Sequence, residues 1–302
     1  MVLYYLHSMV LQVGNFRTRA LTALVFAAIM LGGVLWNKWS FFILFSVIHF
    51  GCWYEYQWLV GLIDPGYTKI TRFHRYGVML AGWCIMLYFT DNLYYIGDLS
   101  LSKLGFWGGL ILLFVLPVLE ILFVQKIRLK NIAHSAFGLI YISLTLGLLT
   151  RLRCMYYDDL DYFNKLLVLM IIVSLWINDT MAYIMGSLIG KTPLTSISPK
   201  KTWEGTISGI LLSIIVMGVV GYFVSSEFDW QTILQWMSIA AIASVAGTFG
   251  DLLQSKLKRL ANVKDSGNIL PGHGGFLDRF DSLLLAAPFV WVYITLITKF
   301  GS

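Results

Sequence analysis

The run "LLVLMIIVSLWI", residues 166–177, holds twelve residues with no charge and a single hydroxyl, Ser174. Taken from Lys165 to Ile189 it is 25 residues long, and only Lys165 and Asp179 in it are charged. A helix needs about 20 mostly apolar residues to cross a hydrocarbon core. The feature recurs, for example in "ALTALVFAAIMLGGVLW", residues 20–36. Of 302 residues, 58% are hydrophobic and 13% charged, against about 25% charged in ordinary soluble domains. The runs are continuous and lack period-two alternation, which excludes a membrane β-barrel. The expectation is an all-α, polytopic membrane protein.

Apolar runs between polar breaks predict nine spans, at 20–37, 39–63, 77–90, 104–124, 132–150, 165–189, 206–225, 232–250 and 282–298. The third is short and the eighth is rich in small residues. With this count the loops separate by charge. Sixteen of the 22 basic residues fall on one side: Arg17 and Arg19, Lys69 to Arg75, Lys126 to Lys130, Lys191 to Lys201, and Lys256 to Arg279. The other side holds Lys38, Lys103, Arg151, Arg153, Lys165 and Lys299, with the acids Asp91, Asp98, Asp158, Asp159, Asp161, Glu227 and Asp229. The positive-inside rule puts the N-terminus in the cytoplasm and the C-terminus outside. The net charge of +6 then belongs to this asymmetry and to anionic lipid headgroups, and no nucleic-acid partner is expected.

Arg17 and Arg19 precede the first apolar run and no small-x-small site closes it, so it reads as a retained span and not a cleaved signal. Cys52, Cys84 and Cys154 are scattered and read as isolated thiols. No linker or low-complexity tract divides the chain. Residues 1–164 carry about five spans, and 165–302 carry the remaining spans with most of the polar sequence. The longest cytoplasmic excursion is expected from about 251 to 281.

Three acids fall inside predicted spans: Glu55, Glu120 and Asp179. A carboxylate in hydrocarbon costs several kcal/mol unless it faces the bundle interior, water or a partner. Glu120 reads as a buried contact between helices, and Glu55 as either such a contact or the edge of a site. Asp179, Tyr183, Gly186 and Gly190 recur at i, i+4, i+7 and i+11, on one helical face. An acid, a phenol and two glycines there suggest close helix packing beside a polar cavity. The next segment reads "GKTPLTSISPKKTWEGT". Ser198-Pro199 resembles a helix start, and Lys200 and Lys201 with the hydroxyls beside them offer anion donors at its N-terminus. Ordinary positive-inside flanking charge accounts for the lysines equally well. The P-loop order is absent.

Polar residues are densest in "GTFGDLLQSKLKRLANVKDSGNILPGHGGFLDRFDS", Gly247 to Ser282. It holds Asp251, Asp265, Asp278 and Asp281, the cations Lys256, Lys258, Arg259, Lys264 and Arg279, and His273. Asp278, Asp281 and Ser282 share one face if the last helix begins early. Aspartates with one histidine and no cysteine favour a hard, oxygen-seeking ion such as Mg²⁺ over zinc. Cations beside those carboxylates suit a highly anionic substrate, whose phosphates complete the metal's coordination. A polar loop of mutually paired charges is the bland alternative, but exposed pairs contribute little and do not explain the glycines around His273. That histidine is included as a site residue without a proton role.

Residues 255–282 resemble the signature of the phosphatidate cytidylyltransferase (CDP-diacylglycerol synthase) family. Every fixed position is filled: Ser255, Lys258, Arg259, Lys264, Asp265, Pro271, His273, Gly274, Gly275, Asp278, Arg279 and Asp281. Ser198, Pro199, Lys201, Thr202, Trp203, Glu204 and Gly205 resemble the family's second landmark. The resemblance is strong over about 176–282 and faint before it. It implies transfer of CMP from CTP to phosphatidate, giving CDP-diacylglycerol and pyrophosphate, in an integral membrane enzyme with its active site on the cytoplasmic face. It implies Mg²⁺ on Asp251 and Asp278, with Asp281 and Asp265 as secondary candidates for the catalytic set and Lys264 beside them. It further implies that Lys201, Lys258, Arg259, Lys264 and Arg279 hold phosphates and that Ser198 and Thr202 orient substrate. A monovalent cation such as K⁺ and a homodimer are also implied by the family. Asp179 and His273 join the substrate-binding set on the reading of the residues themselves.

Rival readings are a cytidylyltransferase for another lipid phosphate, a CTP-dependent polyprenol kinase, and a transporter for anionic lipids or ions. A transporter predicts two related halves with broken helices in matching places, and the sequence shows no such repeat.

Overall fold

A computed structural model describes residues 21–124, 127–155, 161–224, 229–267 and 274–300, without the side chains of residues 92 and 161–163. Arg17, Arg19, Lys126, Asp158, Asp159, Glu227, Pro271 and His273 lie outside the described residues. Among the described residues the chain forms nine helices: α1 (Leu21–Leu35), α2 (Lys38–Ile63), α3 (Arg72–Tyr88), α4 (Leu101–Phe123), α5 (Leu129–Arg153), α6 (Asp161–Ile189), α7 (Trp203–Val224), α8 (Trp230–Leu260) and α9 (Leu277–Phe300). A two-residue hairpin, β1 (Tyr95–Ile96) against β2 (Leu99–Ser100), joins α3 to α4. The all-α membrane architecture holds.

Six of these helices, α4 to α9, are long and apolar enough to cross a membrane. The other three expected spans fall short of that mark for separate reasons. α1 is described over a short apolar stretch, and α3 is 17 residues long with Arg72 and Arg75 in its first turn. α2 has the length, at 26 residues, but buries His49, Glu55 and Gln57. Asn37 starts α2 through a capping box, its side chain accepting from Ser40 N while Ser40 Oγ accepts from Asn37 N.

The expected excursion at 251–281 is corrected at both ends. α8 runs 31 residues, about 46 Å at 1.5 Å per residue, so its last turns extend past a hydrocarbon core. Asp251, Ser255, Lys258 and Arg259 therefore stand on a helix and not in a loop. It stops at Ala261 because Asn262 takes a left-handed φ of 56°. Asn262 N then donates to Arg259 O at 3.1 Å and Val263 N to Lys258 O at 3.0 Å, the paired bonds of a Schellman end. α9 begins early, at Leu277, and this places Asp278, Asp281 and Ser282 in its first turns as the spacing anticipated.

α6 to α9 form a bundle in which α7 packs on α6 and α8, and α9 on α8. Glycine sets the α6–α7 approach: a Cβ at Gly205 or Gly209 would meet the backbone of α6 at Ala182, Gly186 or Asn178. The close packing expected around Gly186 is present, while Tyr183 on that face is exposed. α2 and α5 complete the core. Ser143, in a π-helical stretch of α5, accepts from Trp53 Nε1 at 2.8 Å and contacts His49 Nε2 at 3.0 Å. α4 packs along α3 and turns most of its apolar surface outward, including Ile111, Leu113, Phe114 and Leu122.

Candidate active site

The second landmark folds as a loop that leads into α7. Leu194 N donates to Lys201 O, and Trp203 N to Thr192 O. Ser198-Pro199 lies in a turn, so the helix start predicted there is displaced to Trp203. The reason is Thr202, whose Oγ1 accepts from Gly205 N at 3.2 Å as an N-cap. Glu204 reaches back to Lys191 N and Thr192 N at 3.2 Å each, which fixes the loop's fold.

This geometry delivers Lys201 to α8, where its Nζ donates to Asp251 Oδ2. One turn later Ser255 Oγ donates to Asp251 Oδ1 at 3.4 Å. A second pair joins α8 to α9: Lys258 Nζ donates to Asp278 Oδ1 at 2.7 Å, with side chains 15% and 7% exposed. The other oxygen of Asp278 accepts from Ser266 N at 2.7 Å and Gly275 N at 3.2 Å. One carboxylate thus ties α8, the 264–267 segment and the start of α9 together. Gly274 precedes it at φ 82°, where a side chain would be strained and would also crowd Asp278 Oδ2.

Asp281 is buried, and its charged neighbours are Asp251, Lys258 and Asp179. Asp179 in turn faces Asp251, Lys201 and Arg279. Close approach of α8 and α9 causes the convergence, since a Cβ at Gly250 would collide with the backbone of Asp281. Asp179 and Arg279 also line a cavity of about 390 Å³ whose other walls include Ala23, Phe26 and Ala27 of α1 and Trp176 of α6. Thr22 of α1 and Thr180 of α6 add hydroxyls to its lining.

The structure therefore brings Asp179, Lys201, Thr202, Asp251, Lys258, Asp278, Arg279 and Asp281 into one region. Ser198 sits in the adjoining turn, where its carbonyl accepts from Lys201 N at 3.0 Å. Arg259, Lys264 and Asp265 are exposed, and no contact among the described residues ties them to the two ion pairs. The expected ligands Asp251 and Asp278 each hold a lysine. Among the described residues, no three acidic, histidine or cysteine side chains are close enough to enclose a metal ion as they stand.

One residue of this region was not singled out from sequence, and another was left between two readings. Gln254, on α8 between Asp251 and Lys258, is fully buried with both amide atoms lacking a partner among the described residues. Its spacing from both, i+3 and i+4, was the available signal. Glu55, left open above, proves central. At 2% exposure it accepts from Ser266 Oγ at 2.7 Å, Phe276 N at 2.8 Å and Leu277 N at 2.8 Å. It satisfies backbone donors at the α9 N-terminus that have no partner within the helix. Glu120 behaves as expected, with Oε2 3.1 Å from His74 Nδ1.

Gly267 and Gly275 leave room for Glu55, since a Cβ on either would strike its carboxylate. Gly275→Ala should therefore cost about 1–3 kcal/mol of stability by overpacking and lower turnover as well. A thermal melt in detergent together with an assay checks both, and a wild-type melting temperature would refute the contact.

Comparison with known proteins gives the family. The model of the "Cytidylyltransferase family" matches residues 17–297. This chain belongs to that family. Among curated relatives, a phosphatidate cytidylyltransferase of Synechocystis is 34% identical over 215 residues, 71% of this chain and 68% of that one. The Bacillus subtilis phosphatidate cytidylyltransferase is 31% identical over 219 residues, 72% of this chain and 77% of that one. A Staphylococcus haemolyticus phosphatidate cytidylyltransferase is 40% identical over 162 residues, covering 53% of this chain and 55% of its own length. The family match reaches into the N-terminal half, where the sequence motifs were faint.

Proposed function

We propose that the chain transfers CMP from CTP to phosphatidate, forming CDP-diacylglycerol and releasing pyrophosphate. The observation that carries this reading is the pair of bridges Lys201–Asp251 and Lys258–Asp278, with Asp251 held by Lys201 of one family landmark and by Ser255 of the other. A lipid phosphate oxygen attacks the α-phosphorus of CTP, the bond to the β-phosphate oxygen breaks, and pyrophosphate leaves. Lys201, Lys258 and Arg279 hold phosphates, with Arg259 and Lys264 on the exposed approach. The Thr202 hydroxyl accepts from Gly205 N and keeps its proton to donate. The α1–α6–α9 cavity suits the lipid, with its phosphate at Arg279 and its chains along Phe26 and Trp176.

The expected ligands fit Mg²⁺ by chemistry, since Asp251, Asp278 and Asp281 offer carboxylate oxygens, the hard donors this ion takes. Asp251 and Asp278 would hold the ion, with Asp281 beside them, and their lysines would turn to substrate phosphates. A bound divalent cation supplies charge neutralisation on the phosphoryl oxygens. The proposal includes nine crossings with the N-terminus and this site on the cytoplasmic side. That orientation rests on the charge asymmetry of the loops.

The reaction is tested with CTP labelled separately at its α- and γ-phosphates, using protein purified in detergent with phosphatidate and Mg²⁺. The α-label is expected in lipid, with pyrophosphate released. A γ-label in lipid would make the chain a lipid kinase. Neither label in lipid would reject phosphatidate as the acceptor.

A further inference from the structure

A second group of reactive side chains lies in the N-terminal half, between α3, α4 and α5. The register of α3 on α4 brings two of them together. A Cβ at Gly77 would meet the Leu116 side chain, and one at Gly105 would meet the backbone of Tyr88. The two helices thus run antiparallel in close contact, and His74 in the first turn of α3 reaches Glu120 in the last turn of α4. Thr71 Oγ1 caps α3 by accepting from His74 N at 3.0 Å, which fixes the backbone of the histidine.

His74 Nδ1 lies 3.1 Å from Glu120 Oε2, and His74 Nε2 lies 2.7 Å from Ser135 Oγ on α5. Tyr67 OH lies 3.1 Å from the same Oγ. A carboxylate only accepts, so a neutral imidazole here carries its proton on Nδ1 and Nε2 accepts from the serine. The serine proton is then committed, and the Tyr67 phenol donates to Oγ. A hydroxyl bonded to an imidazole that a carboxylate orients is the arrangement that activates a serine nucleophile. Such triads are recognised by geometry and roles, on unrelated folds.

His74, Glu120 and Ser135 all line a cavity of about 440 Å³, within the usual range for ligand sites. A network that only joined helices would have no need of one. Away from the triad the lining is apolar. On α3 it follows His74, Val78, Ala81 and Ile85, at i, i+4, i+7 and i+11, a stripe about 16 Å long. Leu113 of α4 lines the slot and is 65% exposed, so the slot opens along that helix. α4 has 23 residues, about 34 Å at 1.5 Å per residue, close to the thickness of a hydrocarbon core of about 30 Å. Its last turn, with Glu120, therefore stands where hydrocarbon meets headgroups. Ester bonds of membrane lipids lie at that depth, and water reaches it.

We propose that Ser135, His74 and Glu120 form a second active centre, a serine esterase that cleaves a long-chain acyl ester whose chain lies in this slot. Ser135 Oγ bonds to the ester carbonyl carbon as its proton passes to His74 Nε2. Tyr67 OH shifts from Oγ to the carbonyl oxygen that becomes negative. The bond from carbon to the alcohol oxygen then breaks, and His74 returns the proton to the leaving alcohol. Water, deprotonated by His74, attacks the acyl-serine, the bond to Oγ breaks, and Ser135 regains its proton as the fatty acid leaves. Glu120 holds the Nδ1 proton throughout and stabilises the imidazolium. The site does not depend on the reaction proposed above.

The full chain in detergent is treated with a long-chain alkyl fluorophosphonate, which phosphonylates an activated serine with loss of fluoride, and its intact mass is measured. One adduct per chain is expected, on the peptide that holds Ser135. His74→Gln should slow labelling at least about a hundred-fold, the contribution of a positioned general base. Wild type should hydrolyse p-nitrophenyl dodecanoate and Ser135→Ala should not. Leu113→Trp alters an exposed position and leaves the triad intact. It should lose the dodecanoate ester and keep the butyrate ester. An unlabelled Ser135, in a mixture where a soluble serine esterase is labelled, overturns the proposal and leaves the triad a staple between helices. Equal labelling in His74→Gln, equal hydrolysis by Ser135→Ala, or an unchanged chain-length preference in Leu113→Trp overturns it as well.

Discussion

Asp278→Asn should lower turnover by about a thousand-fold, the upper end of what one electrostatic contact in an active site contributes, while the protein still folds. The carboxylate meets one lysine and two backbone N–H groups, and it is nearly sealed from water. An amide removes the charge that balances Lys258 and turns a donor toward either that ammonium or the N–H groups of Ser266 and Gly275. Breaking such a buried pair costs about 3–5 kcal/mol, because the remaining charge is left uncompensated. Stability and activity should therefore fall together in the single variant.

The double variant Asp278→Asn with Lys258→Met separates the two effects. Removing both charges relieves the unpaired lysine, and replacing a whole buried pair is often neutral or stabilising. The melting temperature should recover most of its loss, while turnover stays at the level of the single variants. Recovery of both would reduce the pair to a structural staple. Near-normal turnover in Asp278→Asn alone would remove Asp278 from the site.

Helix positions were legible from sequence because hydrocarbon imposes one strong rule, an apolar run of sufficient length. The nine predicted runs coincide with the nine described helices, and the errors lie at polar ends. α8 continues through Asp251, Gln254, Ser255 and Lys258 because those side chains enter a polar site or leave the hydrocarbon while the backbone stays helical. Hydropathy reports the solvent of a segment, and a helix serving a polar site changes solvent partway along. The start of α7 was misplaced for a local reason, because Thr202 caps it where Ser198-Pro199 had the more familiar pattern. The motif acids and lysines were legible as a set, but their pairing was not. Lys201 meets Asp251 across 50 positions, and no periodicity encodes that distance. Glu55 is the extreme case, bonded to Ser266 and Leu277 at separations of 211 and 222 positions.

Glu55→Gln should destabilise the protein by about 3 kcal/mol and lower its turnover by about a hundred-fold, although two of its three partners are backbone N–H groups. One oxygen accepts from Phe276 N, and the other from both Leu277 N and Ser266 Oγ. Either orientation of the amide sets an NH₂ against at least one backbone N–H, and a buried unsatisfied donor costs about 1–3 kcal/mol. The lost negative charge at the α9 N-terminus adds up to about 2 kcal/mol in a buried setting. The functional effect follows from position. Asp278 stands one residue beyond Leu277, and Ser266 N and Gly275 N complete its bonds, so a shift of the α9 start moves the carboxylate that Lys258 holds. Displacements near 1 Å can cost about a hundred-fold in rate. Glu120→Gln is the matching control, since it also removes a carboxylate bonded within the bundle but touches His74 between α3 and α4. It should keep near-normal turnover whatever its melting temperature. If Glu55→Gln melts lower yet turns over like wild type, Glu55 holds the helix without positioning the site. If both measures match wild type, the three hydrogen bonds do not hold α9 in place.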